Sequence, residues 1–282
     1  MYPLIGKEII ELQKEFGFKD RFKGFQNTPL LWDFDAVKSL VQFKISSSRS
    51  MYNIERHQKK LRLGKWIEIF TAFQLQQIEG IEFIAENLQI KNNKQTIGEL
   101  DLLLLKDEKP IHLEIAYKFY LYDDTQEYSN FLDYWIGPNR TDSLVLKLEK
   151  LTQKQLPLLY KPETKETLRT LGFDSPSFEQ FVNFKAQLFV PYNKSLIEFN
   201  TLNKDCVQGF YFHFSEIELF VNYLFYIPKK LDWLVEPKLN VEWLNFDNTL
   251  ALLQIYIDKK QSPLCWLKNG NNQLSKCFIT WW

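Results

Sequence analysis

The stretch IGELDLLLLKDEKPIHLEIAYKFYLY, from Ile97 to Tyr122, leaves a chain of this kind few ways to fold. Side chains of an extended strand alternate between its two faces with a period of two. In the first half, Glu99 and Asp101 therefore share one face, and Leu100, Leu102 and Leu104 share the other. In the second half, His112, Glu114, Ala116, Lys118 and Tyr120 point one way, while Ile111, Leu113, Ile115, Tyr117, Phe119 and Leu121 point the other. Between them, Lys106-Asp107-Glu108-Lys109-Pro110 is polar and ends in proline, as a hairpin connection does. Antiparallel pairing of the halves brings Asp101, Glu114 and Lys118 onto one sheet surface. Two carboxylates and an ammonium so gathered suit metal-dependent cleavage of a phosphodiester.

The elements around this hairpin follow from spacing. Residues 7–16 carry apolar side chains at helical intervals, and a second helix is expected from Asp35 to Phe43. From Gly64 to Gln77 the pattern is helical again, with Glu68 set inside the apolar run Trp66, Ile67, Ile69 and Phe70. Gly80 ends that helix, and residues 81–90 read as a strand that turns at Lys91–Lys94 into the hairpin. After the Gly137-Pro138-Asn139 turn, a helix is expected from Asp142, as its cap, to Gln155, stopped by Pro157. A short helix from Lys161 to Leu171 and a strand from Lys185 to Pro191 follow, the latter parallel to its neighbour because a helical crossover precedes it. Beyond Tyr192 come short aromatic strands and a helix from Leu244 to Ile257. Three regions result: an N-terminal helical and basic segment (1–63), an α/β core (64–191) and a C-terminal α+β extension packed on that core (192–282).

Composition narrows the function. Lys plus Arg and Asp plus Glu number 35 each, so contact with a polyanion has to come from a local patch rather than from net charge. One such patch runs from Lys44 to Lys65, where Arg56, Lys59, Lys60 and Arg62 belong to seven basic residues set against the single acid Glu55. It reads either as a solvated face or as a surface for phosphates. The three cysteines form no CxxC pair, which suits a reduced compartment. The most apolar stretch, Leu219 to Ile227, is too short for a membrane span of about 20 residues. With no apolar signal core near residue 1, a cytoplasmic protein is expected. No GxGxxG or GxxxxGK[ST] loop exists for a nucleotide cofactor, no GxSxG elbow for a serine nucleophile and no HExxH for zinc.

What remains is Glu68, Asp101, Glu114 and Lys118. Taken singly, Asp101 reads as a strand-end acid, and Glu114 with Lys118 as a same-face ion pair contributing about 0–1 kcal/mol. Together, with GELD supplying Asp101 and EIAYK supplying Glu114 and Lys118, the arrangement resembles the PD-(D/E)XK superfamily of nucleases. More narrowly, GELDLLL, HLEIAYKFYL and GPNRTDSLVLKL resemble an uncharacterised bacterial family, domain of unknown function 1853, assigned to that superfamily. The resemblance is sharpest over residues 64–160. It implies a restriction-endonuclease-like core: a helix, a three-stranded antiparallel meander, a helix and a further strand. It also implies a Mg²⁺ or Mn²⁺ ion held by Asp101, Glu114 and the main-chain carbonyl of Ile115, with Glu68 holding a metal-bound water or a second metal and Lys118 orienting the attacking water or stabilising the developing charge. DNA or RNA would be the partner, contacted by Arg56, Lys59, Lys60, Arg62, Arg140 and Lys147, with Glu99, His112 and Gln155 as supporting residues. One feature departs from the pattern: the lysine stands four residues after the glutamate, with Ala116 in the usual place. Period-two alternation keeps Lys118 on the same face about 6–7 Å further along. Three readings stay open: a metal-dependent nuclease, a binding module that keeps the fold without the chemistry, and a structural domain whose polar sheet face is only surface.

Overall fold

The computed structural model describes residues 16–33, 37–45, 61–194 and 197–282. Its spine is the expected meander: β1 (Ile81–Asn92), β2 (Gln95–Lys106) and β3 (Lys109–Tyr122), all antiparallel. The β2–β3 turn is two residues long, with Asp107 and Glu108 both in the left-handed region (φ 49° and 66°), the backbone that continues a hairpin's right-handed twist. Gly80 docks on this turn. Its φ is +78°, its carbonyl accepts from the Asp107 N–H at 2.9 Å, and a Cβ there would lie 2.4 Å from the Asp107 carboxylate.

Helix α1 (Phe18–Asn27) and helix α2 (Leu63–Leu75) cover one face of the sheet. They interlock through edge-to-face and tilted contacts of Phe18, Phe22 and Phe25 with Phe70. Full burial of each such ring stabilises the fold by about 1.5–3 kcal/mol. β4 (Trp135–Ile136) pairs with the far end of β3. α3 (Leu144–Lys150) then runs through a π-helical turn (Leu151–Gln155) and a 3₁₀ turn (Leu156–Tyr160) to α4 (Pro162–Thr170). This crossover delivers β5 (Glu179–Pro191) parallel to β3 in a register from Ile111↔Glu179 to Leu121↔Phe189. β6 (Val207–His213) follows parallel to β5. β7 (Leu224–Tyr226), α5 (Phe246–Asp258), β8 (Leu264–Lys268) and β9 (Leu274–Thr280) complete the chain. β9 inserts parallel beside β6, giving one mixed sheet ordered β1-β2-β3-β5-β6-β9-β8-β7. The protein is thus mixed α/β, and the strands after residue 192 extend the same sheet.

Alternation along β3 separates two cores. Tyr117 and Phe119 face α1, α2 and the aromatic C-terminal residues, whereas Ala116 and Tyr120 face α3 with Trp135, Leu144 and Leu148. Cys206, Cys265 and Cys277 are buried free thiols. Among the described residues, no helix is long and apolar enough to cross a membrane.

Two local expectations need correction. The described part of the segment expected as a helix from Asp35 to Phe43 is not helical. Val37 and Leu40 bracket a tight turn, with Lys38 and Ser39 at positive φ, and Gln42 pairs with Val182 of β5. The reason is an open strand edge. β6 reaches only the last residues of β5, so Val41 and Phe43 bond the backbone of Val182, while both ends of the Gln42 amide bond that of Phe184. Satisfying buried backbone groups outweighs helix propensity there. The second correction concerns the helix cap. It is Ser143, whose hydroxyl accepts from the Leu146 N–H at 3.2 Å, rather than Asp142, whose carboxylate is engaged elsewhere. The helix expected at residues 7–16 lies outside the described residues except for Phe16.

Candidate active site

The site forms where two strands part. Register between β2 and β3 runs from Lys106↔Lys109 to Leu102↔Leu113 and stops; β4 takes over the same side of β3 only at Leu121 and Tyr122. Between these points Ile115 to Tyr120 are bound by β5 alone, leaving a fork. Asp101, the first residue of β2 beyond the ladder, replaces the lost backbone partner with its side chain: the Ile115 N–H donates to Asp101 Oδ2 at 2.9 Å. The N–H and C=O of one strand residue leave by the same edge, so the Ile115 carbonyl also opens on the fork.

Glu114, next along the chain, is fully buried and held at both oxygens. Its Oε1 lies 2.9 Å from His112 Nε2, and its Oε2 accepts from the Gln155 amide. The other ring nitrogen of His112 lies 2.9 Å from Gln180 Nε2, which also donates to the Leu156 carbonyl at 2.8 Å. One arrangement of protons satisfies this chain: a neutral imidazole that donates to Glu114 and accepts from Gln180. Burial holds His112 in that neutral form, lowering its pKa to about 4. Gln155 reaches Glu114 from the π-helical turn, whose extra residue per turn re-aims side chains. Its carbonyl oxygen accepts in turn from Lys147 Nζ at 2.8 Å.

Charge is concentrated at this fork. Burial, then the neighbouring Glu114, pushes the Asp101 carboxyl up to about 7, with a smaller push from Glu68. Burial likewise raises Glu114 to about 7, against the ammonium of Lys147 and polar contact from Asp101. Lys147 faces both acids, and burial lowers its own pKa. Glu114 is fully buried and Asp101 half-buried, and oxygen donors of this kind, one or two carboxylates plus a carbonyl, are those that suit Mg²⁺ or Mn²⁺. Among the described residues, no group of three or more His, Cys, Asp or Glu side chains gathers at metal-holding distance. The oxygen donors that face the fork are the two carboxylates and the Ile115 carbonyl.

The structure brings together Asp101, Glu114, Ile115, His112, Gln155 and Lys147. Glu68 stands at the mouth, paired with Lys65 at 2.8 Å. Lys118 shares the face of Glu114 but gives its ammonium to Asp142. Arg140 is bound to the buried Asp123 and stacks on Trp282 at 4.2 Å, which makes it a brace for its loop. Glu99 lies further along β2, opposite Gln89, and Arg62 is the residue preceding α2. Arg56, Lys59 and Lys60 lie outside the described residues. A recess of about 380 Å³ opens beside the fork, lined by Glu68, Ile115, Lys118, Asp142 and Lys147, while Asp101 and Glu114 are not among its lining residues. A wider recess of about 630 Å³, bordered by Phe43 and Lys106 near the hairpin turn, contains none of these residues.

Sequence reasoning missed Gln180, Asp123 and the pairing role of Asp142. Nothing in the spacing marks Gln180, since its role depends on the parallel register His112↔Gln180. Asp142 stands beside the true cap, Ser143, and imitates one. A family model described as a domain of unknown function, DUF1853, matches residues 28–277. No curated protein and no solved structure matches the chain significantly.

Proposed function

The chain belongs to that family, and from this premise we propose that it is a metal-dependent nuclease with a restriction-endonuclease-like core. The observation that carries the reading is the meeting of half-buried Asp101 and fully buried Glu114 at the fork of β2 and β3, with Lys147 joined to Glu114 through Gln155. The order of helix, antiparallel meander, helical crossover and parallel strand supports it. Asp101, Glu114 and the Ile115 carbonyl would hold Mg²⁺ or Mn²⁺, which when bound activates water and neutralises charge on the phosphoryl oxygens. Lys147, bonded to Gln155 and lining the recess, would stabilise the negative charge that develops during phosphodiester cleavage, a task the resemblance assigns to Lys118. Lys118, tied to Asp142, holds the loop at the recess wall. His112 and Gln155 orient Glu114 and keep its ionised form hydrogen-bonded.

The test is cleavage of single-stranded, duplex and branched oligonucleotides with Mg²⁺ or Mn²⁺. Asp101→Ala and Glu114→Ala proteins that keep the parent circular-dichroism spectrum are expected to be inactive. All substrates left intact by the parent would end the enzymatic reading. A second reading has its own observation: both Glu114 oxygens already have protein partners, as in a nucleic-acid-binding module that has lost its chemistry. Isothermal titration with Mn²⁺ separates the two, since binding lost in Asp101→Ala favours the nuclease.

A further inference from the structure

The recess beside the fork shares a wall with another. Lys230 and Trp233 line both it and a neighbouring recess of about 350 Å³, within the range of small-ligand sites. They belong to a 3₁₀ turn, Lys230–Leu234, in which residues i and i+3 eclipse. The Lys230 ammonium accordingly lies 5.5 Å from the centre of the Trp233 ring. That ring is fixed edge-to-face against Phe119 of β3 (5.3 Å, 86°) and Phe278 of β9 (5.1 Å, 85°). Between the two residues, the buried Asp232 turns inward to Arg21 at 2.7 Å and pins the segment. The indole is therefore a fixed wall, and Lys230 is its exposed partner.

The far side of the second recess is polar. Tyr256, Gln261 and Ser262 line it, with Asn139 from the loop that also borders the fork. The Ser262 backbone N–H is spent on Asn139 Oδ1 at 2.8 Å. Its hydroxyl is buried and has no hydrogen-bond partner among the described residues. Leaving such a group unpaired is unfavourable, and Ser262 belongs to the wall of the recess.

We propose that this second recess is a nucleobase subsite for an unpaired nucleotide beside the cleaved phosphate. The base lies against the Trp233 indole, a polar atom of its edge reaches Ser262 Oγ, and Lys230 takes the phosphate between the recesses. The inference rests on the nuclease reading of the fork and names single-stranded nucleic acid as the substrate, because a base within a duplex must leave its stack to enter.

The test uses the full chain and a fluorescein-labelled single-stranded 12-mer, its blunt duplex as control, and Ca²⁺ in place of Mg²⁺, followed by anisotropy. The parent is expected to favour the strand over the duplex, and Trp233→Leu to lose about tenfold on the strand and nothing on the duplex, the range for one stacked base. Ser262→Ala is expected to lose about threefold, and Lys230→Gln to lower the salt slope by about one ion. A single abasic residue next to the cut should erase the difference between parent and Trp233→Leu. If Trp233→Leu does not fold, Lys230→Gln and Ser262→Ala decide. Unchanged affinity, or equal losses on strand and duplex, overturns the subsite; metal-dependent cleavage that still depends on Asp101 would then leave the nuclease reading standing. A parent that neither binds nor cuts overturns both.

Discussion

The two faces of the central sheet bury ionisable groups in opposite ways. On the face of Tyr117, Lys276 donates to Gln187 at 3.0 Å, Gln187 donates to the Tyr117 hydroxyl at 2.8 Å, and that hydroxyl lies 2.6 Å from Thr28 Oγ1. Nearby, Lys185 donates to the Phe25 carbonyl at 2.9 Å and lies 4.5 Å from the centre of the Phe25 ring. Each ammonium there meets acceptors supplied by the fold. On the face of Glu114, two carboxylates converge instead, and the nearest cation is an ammonium whose charge is itself disfavoured by burial. A network that matches donors to acceptors is a structural device. One that gathers like charges leaves a deficit that a ligand can fill.

The comparison can be broken most sharply at the level of activity. Asp101→Asn and Glu114→Gln are expected to lower metal-dependent cleavage by about a hundredfold or more, whereas Lys276→Met, which alters the other face, leaves turnover near that of the parent. A Lys276→Met protein as inactive as Asp101→Asn would erase the distinction. Between the two candidate lysines, Lys147→Gln should cost about tenfold to a hundredfold in kcat. Lys118→Gln, which breaks only a part-exposed pair, should cost far less and change stability by about 0–1 kcal/mol. Reversed kcat losses would return the role to Lys118.

Acidity sharpens the contrast. Asp101 and Glu114, raised to about 7, bind protons in the folded protein that the unfolded chain has released. His112, lowered to about 4, does the reverse and offsets one of them between about 4 and 6.5. Folding therefore takes up about one net proton between about 5 and 6.5, above the range in which the unfolded carboxylates titrate, and metal-free protein should gain about 1.4 kcal/mol per unit as pH falls through that window. Lys185 and Lys276, lowered to about 8 by burial, give the opposite arm: between 8 and 10.5 the unfolded chain holds more protons, so stability rises with pH. Melting temperatures in EDTA should show both arms, with Asp101→Asn removing the acid one and Lys276→Met weakening the alkaline one. A smaller effect is expected from Gln155→Leu, which leaves Glu114 Oε2 without its amide donor. Urea denaturation at pH 8 should record a loss of about 1–3 kcal/mol.

Much of this architecture is legible in local alternation. The faces of β2 and β3 follow from period two, and with them the meeting of Asp101, Glu114 and His112 on one surface. Helix α1 was not expected from the sequence, although Phe18, Phe22 and Phe25 stand at helical spacing. In the fold Gly24 serves close packing: a Cβ there would lie 1.9 Å from the Leu234 carbonyl oxygen. The partner of Lys118 was not legible, since it depends on how the loop from Gly137 to Asp142 closes through its own backbone bonds. Gln155 was placed on the right helix, but its contact with Glu114 depends on the π-helical turn, whose one-residue shift no simple 3.6-residue pattern encodes.

The insertion of β9 between β6 and β8 has a kinetic consequence. β6 pairs with β5 on one side, and its other side is completed only by a strand that follows the whole excursion through β7, α5 and β8. Closing loops of that length before any hydrogen bond rewards them makes folding slow, and sets its pace by sequence separation rather than by helix or strand propensity. Until β9 arrives, the aromatic strand Val207–His213 presents an unsatisfied edge in the middle of the future sheet, the kind of surface on which partly folded chains associate.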